Sequence, residues 1–233
     1  MQVVFAPFLT NYGYPFFTYN KKPELESYFS NWYISVVKAG LSAKIFIDEP
    51  NDYVVNKYST EKLEFIMRTE KGINPIDYRW IILRDYLVSN PQIETFLMMD
   101  ISDTTILKNP FDFMQKGKVY IGDENCAAWI GWMSSRVWNI NNSGCFARYE
   151  QYKDHRLLNC GLFGGFVADV MPYLDLVCER LLEYNYVHDS IDMIVFNEVM
   201  RLEAKDKLVY GEPFNTEFWK WDISNTNCYL QHK

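Results

Sequence analysis

The sequence lacks basic tracts and long apolar runs. Its formal net charge is -7, from 23 Lys and Arg against 30 Asp and Glu. Nucleic acids are bound mainly through clusters of positive charge, so we expect no nucleic-acid partner. No stretch approaches the roughly 18 consecutive apolar residues that a membrane-spanning helix needs. The N-terminus also lacks the basic segment of a secretory signal. We therefore expect a cytoplasmic protein without a transmembrane segment.

Paired cysteines and linker segments are also missing. The chain has five Cys, and none of them forms a C-x-x-C pair. An odd number of widely spaced cysteines favours free thiols in a reducing compartment and argues against a zinc site. We find no repeat, low-complexity segment or Gly/Ser linker. We therefore expect one domain over residues 1–233, which could itself be part of a longer chain.

Apolar and aromatic residues are abundant, at 48% and 17% of the sequence. This composition indicates a packed core rather than disorder. Strand-like and helix-like segments alternate along the chain, which predicts an α/β fold with a mostly parallel central sheet flanked by helices. The predicted strands are 2–8, 43–48, 94–100, 118–122, 157–166 and 207–211. The predicted helices are 23–40, 60–69, 75–89, 168–185 and 189–203.

Two carboxylates follow the buried strand "ETFLMM", at Asp100 and Asp103. Ligands of open parallel sheets bind beyond the carboxyl ends of the strands. Mg²⁺ and Mn²⁺ prefer oxygen ligands, and Mg²⁺ is often held by one or two carboxylates together with substrate phosphates. The pair therefore predicts a metal site. The alternative is a helix cap or an Asx-turn at Asp103.

Two further segments carry candidate site residues. In "LNCGLFGGF", Gly161 and its neighbours allow a close approach of backbone to a ligand, and Asn159 could bind sugar hydroxyls. The alternative is a glycine-rich β-bulge. Asp192 begins a predicted helix and could face a reaction centre. The alternative is a first-turn charge that the helix dipole favours, with Asp189 as the N-cap.

A histidine and two arginines complete the candidates. His232 lies close to the end of the sequence and could be a metal ligand or part of a frayed terminus. Arg79 and Arg84 are five residues apart and so occupy different faces of a helix. One of them could reach a phosphate, although one solvated charge and one ion pair is the usual arrangement.

These motifs follow a recognisable order. They are the segment "FLMMDISDTTILKNPF" at 96–111, an N-x-G-x-x-G-G pattern from Asn159 to Gly165, Asp192 followed by Asn197, and His232. In this order the chain resembles the GT-A fold glycosyltransferases, particularly the glycogenin-like members. Two departures stand out: the acids form D-x-x-D rather than D-x-D, and Met193 occupies a position where Gln is common.

The resemblance implies a single GT-A (Rossmann-like) catalytic domain, with a nucleotide-binding half over about 1–105 and an acceptor half over about 106–233. It also implies a glycosyltransferase that moves a sugar from a nucleoside-diphosphate sugar, with UDP favoured, to an acceptor hydroxyl of a glycan or glycoprotein. Mn²⁺ or Mg²⁺ would be held by Asp100, Asp103 and His232, and Asp192 would be the catalytic residue. The donor-binding residues would be Ala6, Phe8, Thr10, Asn11, Tyr12, Arg79, Asp100, Asn159, Gly161 and Lys233.

Two other functions are compatible with the residues. One is a carbohydrate- or nucleotide-binding module without catalysis, in which Trp129, Trp132 and Trp138 form a sugar platform. The other is a sugar nucleotidyltransferase. Such enzymes usually carry a cationic, glycine-rich loop after the first strand, and "APFLTNYGYPF" contains no cation.

Overall fold

The computed structural model describes residues 1–9, 25–48, 52–68, 74–186, 188–217 and 227–232. Four of the predicted donor-binding residues, Thr10, Asn11, Tyr12 and Lys233, lie outside these ranges. The described part of the chain forms a central sheet with helices on both faces. No helix among these residues is both long and apolar enough to cross a bilayer.

Seven strands build the central sheet. They are β1 (Gln2–Phe8), β2 (Ala43–Ile47), β3 (Leu63–Met67), β4 (Thr95–Met99), β6 (Val119–Ala127), β7 (Arg156–Phe166) and β8 (Leu208–Val209), while β5 (Thr104–Ile106) lies in a second sheet. The spatial order is β3-β2-β1-β4-β7-β6-β8. Among the strands in the described part of the chain, only β7 runs antiparallel to its neighbours in this sheet, β4 and β6. The other pairings are parallel, which confirms the predicted α/β class with a mostly parallel sheet.

Both faces of the sheet are covered by helices. Alternate side chains of a strand point to opposite faces. Accordingly Val3 and Phe5 of β1 belong to one core cluster, whereas Val4 and Ala6 belong to another. The near-continuous burial of β1 and β4 is typical of parallel strands that are enclosed on both sides. The helices are α1 (Leu25–Lys38), α2 (Asp52–Tyr58), α3 (Pro75–Ser89), α4 (Gly131–Ile140), α5 (Ser143–Tyr152), α6 (Val167–Tyr184) and α7 (Asp192–Glu203).

A small second sheet lies beside the carboxyl end of β4. It pairs β5 with β9 (Leu230–His232) in antiparallel register, so that Thr104 is opposite His232. The hydroxyl of Ser35 on α1 accepts a 3.1 Å hydrogen bond from the backbone N–H of Ile106, which fixes this sheet against the helix. The last described residues of the chain therefore lie next to Asp103.

One predicted helix is wrong. Residues 60–69 contain the strand β3, which pairs with β2 over its whole length. Glu, Lys, Leu and Met favour a helix locally. The parallel pairing with β2 overrides that preference, because strand formation depends on the neighbouring strand more than on intrinsic propensity.

The remaining predicted segments are recovered with shifted ends, while α2, α4 and α5 were not predicted. The glycine-rich segment predicted as a broken strand belongs to one strand, β7. Its register with β6 shifts between Ile121 and Gly122, opposite the stretch from Asn159 to Phe163, so the glycine-rich β-bulge given as the alternative is present. A side chain at Gly164 would collide with the backbone carbonyl of Phe96 on β4. Glycine is thus required there for the close approach of two strands.

Candidate functional site

Three potential metal ligands converge at the carboxyl end of β4. Asp100 follows this strand directly, Asp103 precedes β5, and His232 belongs to β9. One ligand atom from each of the three lies within 4.8 Å of the others, and Nε2 of His232 is 3.9 Å from Oδ1 of Asp103. Two carboxylates and an imidazole form a donor set that suits Mn²⁺ and related divalent ions.

His232 is held firmly in this cluster. Its side chain is 1% exposed. Its backbone N–H donates to Oγ1 of Thr216 at 3.0 Å, and that hydroxyl donates to the carbonyl of His232 at 3.2 Å. Burial lowers the pKa of His232 to about 4. The imidazole is therefore neutral near pH 7, which is the form that binds metals, and the interpretation as a frayed terminus is wrong.

Asp103 contributes a buried oxygen, Oδ1, that accepts no hydrogen bond from the described residues. Burial, together with the negative charge of Asp100, raises the pKa of Asp103 to about 7. A buried carboxylate oxygen without a partner is costly, and a bound cation would compensate for it. The segment after Asp103 is a strand rather than a helix, so the helix-cap alternative is wrong.

Gly161 lies directly against two of the three candidate ligands, Asp100 and His232. Its carbonyl accepts a 2.8 Å hydrogen bond from the backbone N–H of Asp100. A Cβ at this position would lie 2.7 Å from Oδ2 of Asp100 and 2.9 Å from Nε2 of His232. The missing side chain therefore leaves the space in which the carboxylate and the imidazole come together.

Arg79 connects the candidate metal ligands to Asp192. Its guanidinium on α3 forms an ion pair with Asp100 through Nη1 and with Asp192 through Nη2, the latter at 2.8 Å. Arg79 and Asp192 are both almost completely buried. One arginine thus balances two carboxylates and fixes their relative position, which places the predicted phosphate-binding arginine inside an ion-pair network.

Asp192 is the first residue of α7 and is surrounded by donors. Besides Arg79, its two oxygens face Trp80 Nε1 at 3.3 Å, the Cys160 thiol at 3.3 Å, Ser190 Oγ at 2.9 Å and the Met193 backbone N–H at 2.7 Å. These contacts hold the carboxylate in a single orientation at the start of the helix.

The beginning of α7 is capped by a residue that the sequence analysis missed. Asp77 of α3 accepts hydrogen bonds from the backbone N–H groups of Ile191 and Asp192, at 3.0 and 2.9 Å. Burial and the nearby charge of Asp192 raise the pKa of Asp77 to about 8. The alternative that made Asp189 the N-cap is wrong, because α7 begins at Asp192 and the Asp189 carboxylate pairs with Arg136 at 2.8 Å. Its other part is confirmed, since Asp192 lies in the first turn of the helix.

Asn159 and a second missed residue, Glu124, form a pair beside Gly161. The side-chain oxygen of Asn159 accepts from the Gly161 N–H at 2.8 Å, and its Nδ2 donates to Glu124 at 2.6 Å. Burial raises the pKa of Glu124 to about 7. The β6–β7 pairing is irregular between Asp123 and Ala127, and such bulges often adjoin functional sites. The signal in the sequence was two consecutive acids, Asp123 and Glu124, directly after the apolar predicted strand 118–122.

The tip of β1 approaches the same region. The Phe8 ring packs on Tyr28 of α1, with centroids 5.3 Å apart. Burial raises the pKa of Tyr28, whose hydroxyl is hydrogen-bonded to Ser102 between the two site aspartates. Ala6 is instead completely buried in the core. Of the two described residues that were predicted to bind the nucleoside, Phe8 therefore lies near the acidic loop and Ala6 has no exposed side chain.

Comparisons with known proteins identify no family for this chain. No protein-family model matches the chain, and no curated protein matches it significantly.

Proposed function

We propose that this protein is a metal-dependent glycosyltransferase of the GT-A type. It transfers a sugar from a nucleoside-diphosphate sugar, with a UDP-sugar favoured, to a hydroxyl group of a glycan or glycoprotein acceptor. The observation that carries the proposal is the convergence of Asp100, Asp103 and His232 at the carboxyl end of β4, behind which Gly161 has no side chain.

The residues present fit a Mn²⁺ or Mg²⁺ ion. Asp100, Asp103 and His232 would hold it, and the buried Oδ1 of Asp103, which accepts no hydrogen bond from any described residue, supports this assignment. When bound, the ion supplies the positive charge that stabilises a diphosphate leaving group. The chain itself has a net charge of -7, so an ion is a natural source of that charge.

Arg79 and Asp192 organise the sugar side of this site. Arg79 holds Asp100 and Asp192 in a fixed relation, so that the metal ligand and the proposed catalytic carboxylate form one unit. Asp192 would act as general base towards the acceptor hydroxyl if the enzyme inverts the sugar configuration. In a retaining enzyme it would act as nucleophile or as a stabiliser of positive charge on the sugar.

Two further groups of side chains would form the walls of the donor site. The Phe8–Tyr28 aromatic pair is the proposed surface for the nucleoside base, beside the loop that carries Asp100 and Asp103. Asn159 and Glu124 form the proposed polar wall near the transferred sugar, because Asn159 is bonded to the Gly161 backbone.

A thermal-shift screen tests the proposal. UDP, GDP, CDP and their sugars are each added with and without Mn²⁺, because a ligand that binds the native state raises the melting temperature. We expect the melting temperature to rise only when UDP or its sugar is added together with Mn²⁺. A donor-hydrolysis assay then separates an enzyme from a binding module, since a module would bind without turnover. No shift with any nucleotide would overturn the proposal.

A further inference from the structure

The connection between β6 and β7 forms a helical hairpin. The helices α4 and α5 occupy residues 131–152, and they contact each other through two pairs of side chains. The hydroxyls of Ser134 and Tyr149 are 2.9 Å apart, and the rings of Trp138 and Phe146 have centroids 4.6 Å apart. The hairpin is thus a defined structure rather than an irregular loop.

An open cleft lies on this hairpin, with a volume of about 400 Å³. Trp129 and Trp138 line it, although 62% and 66% of their surfaces remain exposed. Phe146 extends the aromatic surface, and Glu150, Lys153 and Asp154 supply charged groups. Large aromatic side chains are normally buried, and a patch of them with a polar rim indicates a binding surface.

The lining defines the chemistry of the ligand. Aromatic ring faces pack well against the C–H faces of sugar rings, and carboxylates accept hydrogen bonds from hydroxyl groups. Glu150 and Asp154 outnumber the single cation Lys153, which is paired with Glu150 at 2.8 Å. The negative lining disfavours nucleotides, nucleic acids and anionic lipids, and it leaves an uncharged polyhydroxyl ligand as the best match.

We propose that this cleft binds a neutral oligosaccharide chain, with sugar rings stacked on Trp129 and Trp138. The hairpin is attached to the two strands that carry Glu124 and Asn159, since Ala127 of β6 pairs with Arg156 of β7. Arg156 and Gly161 are five residues apart, or about 17 Å along a strand. This part of β7 extends past the carboxyl end of β4, on the side where Asp100 lies.

The location of the cleft suggests how the acceptor is held, and this part of the inference rests on the proposed function. A long oligosaccharide that reaches the proposed site from the cleft would have one end anchored on the hairpin, away from the reacting hydroxyl. The cleft would then select acceptors by chain length, because a short acceptor cannot occupy both places.

Binding of neutral oligosaccharides to the complete chain tests the inference. Maltopentaose, cellopentaose, mannopentaose and lacto-N-tetraose are titrated by calorimetry, with an acidic hyaluronan hexasaccharide for comparison. We expect at least one neutral ligand to bind and the acidic one to fail. Trp129→Ala and Trp138→Ala should each weaken that binding roughly tenfold. Trp132→Ala is the matched control, since Trp132 is 39% exposed on the same helix but lies outside the cleft, against Arg136.

The outcomes separate this inference from the proposed function. Absence of binding to all four neutral oligosaccharides, or binding that survives both cleft substitutions, overturns the inference. So does a preference for tetramethylammonium, which would indicate a cation-binding aromatic cage. The Mn²⁺-dependent UDP shift is measured on the same variants and should be unchanged. Oligosaccharide binding without any UDP-dependent shift would support the cleft as a binding site and would contradict the proposed transferase function.

Discussion

His232 Nε2 lies 3.9 Å from Asp103 Oδ1, although the two residues come from opposite halves of the sequence. The antiparallel pairing of β5 with β9 creates this contact. It brings the two side chains close enough to be ligands of one candidate metal site.

Asp103→Asn should abolish metal binding without harming the fold. The substitution removes a ligand charge, so Mn²⁺ affinity should fall by at least roughly a hundredfold. Stability of the metal-free protein should stay the same or rise by about 1 kcal/mol, because a buried charge disappears. Calorimetric Mn²⁺ titration and urea unfolding measure the two effects. Asp206→Asn, at an exposed position, serves as the control, and unchanged Mn²⁺ affinity in Asp103→Asn would refute the site.

Gly161→Ala should also weaken Mn²⁺ binding while every ligand remains in place. The new methyl group would lie within 3 Å of both Asp100 and His232, in the space where they converge. We expect Mn²⁺ affinity and Mn²⁺-dependent UDP binding to fall together. Gly131→Ala is a suitable control, since a Cβ there meets nothing within 4 Å. Equal affinities in the two variants would show that Gly161 does not shape the site.

Glu124→Gln should stabilise the protein at alkaline pH. The pKa of Glu124 is raised from 4.5 to about 7 by burial. Between these two values the folded state binds more protons than the unfolded state, so this residue lowers stability as the pH rises, until both states are ionised above pH 7. Relative to wild type, the variant should gain about 1 to 3 kcal/mol at pH 8 and almost nothing near pH 4.5.

Urea unfolding at the two pH values measures this difference, with Glu203→Gln at the exposed end of α7 as the control. Sugar transfer by Glu124→Gln should fall at the same time, because the carboxylate is part of the proposed sugar wall. A gain in stability that is equal at both pH values would contradict the assigned cause.

Asp192→Asn should separate donor binding from transfer. Mn²⁺-dependent UDP affinity should stay within about threefold of wild type, since Asp100 retains its own contact with Arg79 and a binding change that small is below about 0.7 kcal/mol. Transfer should fall by roughly a hundredfold or more, as expected for the loss of a general base or nucleophile. Radiolabelled-donor assays at saturating UDP-sugar measure the rate. Near-normal transfer by this variant would show that Asp192 is not a catalytic residue.

The same carboxylate offers a structural test. Arg79→Met leaves Asp192 buried without its cation, and breaking a buried ion pair typically costs about 3 to 5 kcal/mol. The double variant Arg79→Met with Asp192→Asn should be less destabilised than the sum of the two single variants, because the unpaired charge is gone. Additive losses would show that the two groups are not coupled.

Local patterns in the sequence were sufficient to predict part of the fold and part of the candidate site. The apolar strand before Asp100 and the acid three residues later could be identified because both features are contiguous. The alternation of segments predicted the mostly parallel sheet for the same reason. The segment 60–69 was assigned wrongly because its pairing partner, β2, decides its conformation.

Groups that act across the fold could not be predicted in this way. Asp77 caps a helix that begins more than a hundred residues later, and nothing in its neighbourhood marks it as a cap. Glu124 meets Asn159 only because an irregular pairing of β6 with β7 aligns them. For His232, the motif order supported a ligand role, but only the β5–β9 pairing supplies the position.

The same pairing sets an order of events during synthesis. A ribosome releases the chain from its N-terminus, so β1, β4 and the acidic loop emerge well before residues 230–232. Until β9 adds to β5, Asp100 and Asp103 lack their nitrogen partner, and the cluster is only a pair of acids. The three-residue cluster is therefore completed late, after the sheet that supports it, and a nascent chain ending near Glu217 would contain the seven strands of the central sheet without His232.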